Sequence, residues 1–276
     1  MARATTQRPT RASARARHWS RTPEFRALAR TGLVARAVIY LLIGLVAILL
    51  AVGHSTHQPN QEGALQLLAG KPYGDVSLWL LGIGFAGYAL WRLSEAAFGV
   101  AGEGNGAGPR AKSGVRALVY AFLCYLTFKV IGHAAGNETR KQQDMTASVM
   151  RHPGGQWLVA IIGLVIVAVG VALIAQGLRR TFMKYLATSE MSRKVRRVVE
   201  WFGRIGVTAR GVVFAITGVL VVDAAITFSP SKSGGLDKAL LTLRGEPFGE
   251  FLLLLAAIGL VIFGVYGLAE ARWRKV

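Results

Sequence analysis

The chain has 276 residues, 53% of them hydrophobic and only 17% charged, with a mean hydropathy of +0.41. A soluble domain of this length would carry about a quarter charged residues, so the composition argues against an ordinary soluble fold. The charge is lopsided, 33 basic against 14 acidic residues for a formal net +19, which leaves two classes of partner: nucleic acid, read by a basic folded face, or a membrane surface, met by basic loops.

Residues 1–31 form a basic tail with eight arginines and one acid, Glu24, predicted to be disordered and cytoplasmic. The same composition suits a mitochondrial transit peptide or a secretory signal. Against cleavage, the apolar run after the tail has counterparts later in the chain that read as spans. Six runs, at about 33–53, 75–98, 114–133, 155–177, 206–228 and 248–270, reach the roughly 20 residues a bilayer crossing takes. None contains an internal proline, and all are rich in Gly and Ala. Small residues let helices approach closely where lipid supplies no hydrophobic drive. A buried soluble bundle is the alternative, but six such runs would leave it almost no polar face.

Arg36 opens the first run. The loop after it carries His54 and His57, then "ALQLLAGKPYG" (64–74), whose spacing suggests a short amphipathic helix at the outer interface. The second run ends at Glu95. A glycine-rich linker, 99–111, leads to the third run with Arg116, the single cysteine Cys124, and Lys129. One cysteine forms no internal disulfide and no cysteine-based metal site. The loop before the fourth run is less apolar, and that run ends at Gln176. A basic loop, 178–205, precedes the fifth run with Arg210 and Asp223. The loop "ALLTLRGEPFG" (239–249) repeats the first one, and the last run ends at Glu270 before a basic tail, 272–276.

These landmarks are in register. Arg36, Arg116 and Arg210 correspond, each followed four residues later by Tyr40, Tyr120 or Phe214 and after four more by Gly44, Cys124 or Gly218. The Pro-x-Gly turns Pro72/Gly74, Pro153/Gly155 and Pro247/Gly249 correspond, as do Glu95, Gln176 and Glu270. The chain therefore reads as three repeats, 32–98, 112–177 and 206–271, each of two spans. An even number of spans gives all repeats one orientation. The fold class expected is all-α integral membrane, six transmembrane helices in a pseudo-threefold arrangement.

The pattern R-x-x-x-[YF]-x-x-x-G, the G-x-P-[YF]-G turn and the terminal "GLAEA" (267–271) resemble a bacterial membrane family catalogued only as domain of unknown function 1206, over roughly residues 30–275. The resemblance implies a six-helix plasma-membrane protein and no particular activity.

Basic residues outside the spans number 21 on the side of the termini and 7 on the other, which places both termini in the cytoplasm. That distribution favours anionic lipid headgroups, with a protein partner of the basic segments as a second possibility, and disfavours nucleic acid. Glu95 lies about 31 Å of helix beyond Gly74, at the depth of Arg36. Pairing of Arg36 with Glu95, of Arg210 with Glu270, and a neutral Arg116–Gln176 contact would staple each repeat; separate snorkelling to headgroups is the alternative. Lys129 and Asp223 hold one repeat-equivalent position, Leu49 in the first repeat, and would meet across repeats or snorkel apart. His54 and His57 are weak metal candidates, and His133 and His152 lie on the same side; no metal or cofactor is expected. No catalytic motif occurs. The expected function is a non-enzymatic membrane scaffold or partner-binding module, with a transporter or channel using Lys129 and Asp223 as the alternative and an intramembrane enzyme third.

Overall fold

The computed structural model describes residues 23–54, 57–99, 107–132 and 138–275. The tail up to residue 22, His133 and most of the glycine-rich linker lie outside the described residues. The described chain is helical, with an isolated antiparallel bridge between Leu186 and Arg274. Nine α-helices run in order: α1 (Pro23–Ala51), α2 (Gln61–Ala69), α3 (Gly74–Phe98), α4 (Ala107–Ile131), α5 (Glu138–Met150), α6 (Gly155–Leu178), α7 (Arg193–Ile226), α8 (Leu236–Gly245) and α9 (Gly249–Trp273). Six of them, α1, α3, α4, α6, α7 and α9, are long and apolar enough to cross a membrane.

The repeat unit is long helix, short helix, long helix. Each Pro-x-Gly turn delivers its glycine as the first residue of the returning helix, at Gly74, Gly155 and Gly249. The reason is steric. A Cβ at these positions would lie 2.5 Å from the Leu68 carbonyl oxygen, 1.7 Å from that of Val149 and 2.0 Å from that of Arg244. The short helix ends against the start of the long one, and only glycine leaves room.

The short helices differ from expectation in two ways. α2 and α8 do not merely float at an interface: Ala64, Leu65, Ala239 and Leu240 are fully buried in the main core. The middle loop, although polar, also forms a helix, α5, tied by its side chains to both neighbours. Thr139 donates to Asp237 and lies 3.1 Å from the Gln58 side-chain oxygen, and Gln143 donates to the Ser231 carbonyl (3.0 Å). α7 begins thirteen residues before its apolar run, at Arg193, where the Ser192 hydroxyl accepts from the Val195 amide.

The order of neighbours around the bundle crosses the repeat boundaries. The second long helix of each repeat packs along the first long helix of the next: α3 on α4, α6 on α7, and α9 back on α1. Within repeats, α1 also packs on α3 and α7 on α9, whereas α4 and α6 do not pack along each other. Glycines set the tightest of these contacts. On α6, Gly163, Gly170 and Gly177 face Gly218, Gly211 and Thr208 of α7, and a Cβ at Gly170 would lie 2.5 Å from the Ala215 nitrogen. Gly44, Cys124 and Gly218 occupy matching places. Gly44 abuts Val261 of α9, Gly218 abuts Val167 of α6, and the Cys124 thiol reaches the Gly82 carbonyl of α3 at 3.5 Å.

Candidate functional site

Cross-repeat packing re-routes the charges. Arg36 of α1 pairs with Glu270 of α9, the helix α1 lies against, and the Glu270 carboxylate is shared with Arg274 one turn along. The staple expected between Arg36 and Glu95 is not formed. Glu95 instead accepts from Arg92 at 2.6 Å and from the Ser113 hydroxyl of α4 at 3.0 Å. The staple expected between Arg210 and Glu270 is likewise not formed, because Glu270 faces α1. The error is one of partner and not of depth: all these groups do lie at one level, but the helix beside each arginine is the preceding repeat's second helix.

The same rule accounts for Arg116 and Arg210. Arg116 sits on α4, against the helix that carries Glu95, but Arg92 has taken that carboxylate. Arg210 sits on α7, against α6, which carries neutral Gln176. Among the described residues neither arginine has a carboxylate within ion-pair distance. Aromatic rings hold Arg210 instead. Its guanidinium lies 4.9 Å from the Phe263 ring, 5.0 Å from Phe214 and 5.1 Å from Tyr40, from α9, α7 and α1. Arg36 lies over the same Phe263 ring at 5.7 Å. Such cation–π contacts offset part of the desolvation of a guanidinium. The Nε atoms of both Arg36 and Arg210 are buried with no hydrogen-bond partner.

Two members of this cluster escape sequence reading. Arg92, 1% exposed, donates to the Tyr88 hydroxyl from Nε (3.1 Å) and from a terminal nitrogen (2.8 Å), and lies 4.2 Å from the Trp91 ring. It has no counterpart in the other repeats, where Leu173 and Gly267 stand, so the register does not flag it; its place three residues before Glu95 inside an apolar run was the available signal. Arg274 reads as a topogenic tail charge, yet it packs over Trp91 at 5.4 Å and pairs with Glu270. The chain around it is fixed by the loop 181–190: Lys275 donates its amide to the Tyr185 carbonyl (3.0 Å), and Phe182 and Leu186 are buried beneath the bundle. This loop covers the end of the bundle that carries the terminus.

At the opposite end, Lys129 and Asp223 are not brought together. Asp223 pairs with Lys232 at 2.9 Å, on the segment after α7. Lys129 lies beside Lys141 of α5, and a hydrogen bond between the two amines, together with their like charge, holds the Lys141 ammonium below its ordinary value. The cross-repeat lock between Lys129 and Asp223 is therefore corrected: each has a neighbour from a nearby loop or short helix. His54 is exposed, its Nδ1 2.8 Å from the Val52 carbonyl oxygen, and His152 is exposed, its Nδ1 2.9 Å from the Ser148 carbonyl oxygen. Among the described residues, His57 included, no three His, Cys, Asp or Glu side chains gather as a metal site would require.

Comparison with known proteins agrees with the repeat structure. The family described as Domain of Unknown Function (DUF1206) matches three times, at residues 31–99, 111–180 and 205–274. A relative from Bacillus subtilis (strain 168), described as "Uncharacterized protein YxxB", is 30% identical over 257 residues, covering 92% of this chain and 93% of the relative. No solved structure matches.

Proposed function

The chain belongs to the DUF1206 family, and on that premise we propose that it is a non-enzymatic scaffold of the bacterial plasma membrane, with both termini in the cytoplasm. Its three repeats form a pseudo-threefold ring whose seam is closed by Arg36 and Glu270, on the first and last long helices. Arg36, Arg92 and Arg274 hold the carboxylates of Glu270 and Glu95 together with aromatic neighbours, which is the work of packing.

The observation that carries the scaffold reading is the start of α7. Arg193, Lys194, Arg196 and Arg197, all exposed, lie on a helical extension ahead of the apolar run. This basic extension faces the side where positive charge accumulates and suits an anionic partner, an acidic protein or the inner-leaflet headgroups. The test is to replace the four residues by glutamine and compare what is retained by protein purified in native lipid particles. Loss of acidic proteins or of anionic lipid relative to the parent supports the reading. An unchanged complement of partners would sink it.

A further inference from the structure

We infer that the arginine cluster binds an oxyanion of the phosphate class, reached from the side between α4 and α6. Charge balance is the first reason. Arg36, Arg92, Arg116, Arg210 and Arg274 converge at one depth. Arg36 and Arg210 share the Phe263 ring, Arg92 and Arg274 share Trp91, and Arg116 lies within electrostatic reach of Arg92, Arg274 and Arg36. Among the described residues, two carboxylates stand against these five guanidiniums, Glu95 and Glu270, both already engaged. Unpaired charge inside a membrane-spanning bundle is costly and marks a ligand or ion path.

Donor geometry is the second reason. The Nε–H groups of Arg36 and Arg210 are buried and unpartnered, and both guanidiniums lie near one aromatic ring, that of Phe263. Arg36 is only 8% exposed. A guanidinium edge left without an acceptor fits an oxyanion, which can take two parallel N–H donors at once.

The repeat pattern is the third. The preceding repeat's second helix bears an acid beside α1 and α4, whereas beside α7 that helix, α6, bears Gln176. The missing carboxylate belongs beside Arg210, the arginine that has only rings for company. Access comes from the same asymmetry. The ring is unpacked between α4 and α6, and Arg116, on α4, is exposed. The loop 181–190 covers the terminal end, so the lateral opening is the route. A phosphate from a lipid headgroup and free phosphate share the required chemistry. The oxyanion site rests on the ring and its charges and stands apart from the scaffold reading.

Two probes distinguish the sources. Delipidated protein in a neutral detergent is heated with increasing inorganic phosphate, and, separately, is examined by native mass spectrometry after exchange into mixtures of phosphatidylglycerol and phosphatidylcholine. A rise in melting temperature with phosphate points to a free oxyanion; retention of phosphatidylglycerol over phosphatidylcholine points to the lipid. In either case Arg210→Gln and Arg116→Gln should weaken the effect at least tenfold. Gln176→Glu supplies the missing carboxylate, so it should raise stability without ligand and abolish the response, a result that does not depend on the arginine variants folding. No response to either probe in the parent protein overturns the proposal, as does an undiminished response in both Arg210→Gln and Gln176→Glu.

Discussion

Arg36 illustrates how much a single partner matters. Its charge is buried, and so is that of Glu270, so removing Glu270 strands Arg36 at a cost of about 3–5 kcal/mol, while removing Arg36 leaves Glu270 with Arg274 alone. The two effects must therefore couple. In a double-mutant cycle measured by thermal unfolding in detergent, Arg36→Leu and Glu270→Leu should together cost clearly less than the sum of each alone. The same cycle with Arg36→Leu and Glu95→Leu should come much closer to additivity, since Glu95 spends its carboxylate on Arg92 and Ser113. Equal coupling in both cycles would restore the within-repeat staple. A second residue-scale prediction concerns Lys141, whose ammonium is disfavoured by its hydrogen bond with Lys129 and by that residue's charge. With its value in the folded protein lowered, the unfolded chain binds more protons between that value and the ordinary one for lysine. Stability therefore rises with pH across that window as the repulsion is relieved. Lys129→Gln should move the Lys141 titration, followed by lysine side-chain NMR, back toward the ordinary value.

At the scale of elements, the glycines of α6 and α7 do what no larger residue can. A Cβ at Gly170 would sit 2.5 Å from a backbone nitrogen of the partner helix, while one at Gly108, on α4, would meet nothing within 4 Å. In water-exposed helices glycine to alanine is favourable by up to about 1 kcal/mol. Gly108→Ala should accordingly be neutral or slightly stabilising. Gly170→Ala must push α6 and α7 apart, breaking the contact along its length, and should lower the melting temperature by many degrees. Identical melting curves for the two variants would show that the helices are not held as closely as the backbone indicates. The polar α5 was legible only as a loop, because its sequence is too polar overall to announce a packed helix. What makes it helical is tertiary: Thr139 and Gln143 bond to segments from the first and third repeats.

For the whole molecule, orientation and transport are the testable properties. In a background with Cys124 replaced by serine, a cysteine at Ser189 should resist a membrane-impermeant thiol reagent in intact cells, and one at Ser231 should react; both serines are exposed. The opposite pattern would invert the topology. Protein in liposomes should show no cation or proton flux that depends on Asp223, whose carboxylate is occupied by Lys232 at the bundle's end. A flux abolished by Asp223→Asn with folding intact would favour a transporter over a scaffold.

The sequence by itself determined the number of long apolar helices, the register of the three repeats, the glycine at each Pro-x-Gly turn and the depth at which arginine and glutamate lie. Each of these is a one-dimensional quantity: apolar run length, spacing, and rise per residue along a helix. Only the tertiary structure decided which arginine meets which acid. Arg36 has Glu95 and Glu270 at equal depth, and choosing between them requires knowing which helices are neighbours around the ring. That order arises from side-chain packing, above all from glycine-to-backbone contact between helices distant in sequence. The same packing brings Arg92 and Arg274, which no repeat pattern marks, into the cluster and leaves Arg210 facing rings where an acid would have been expected.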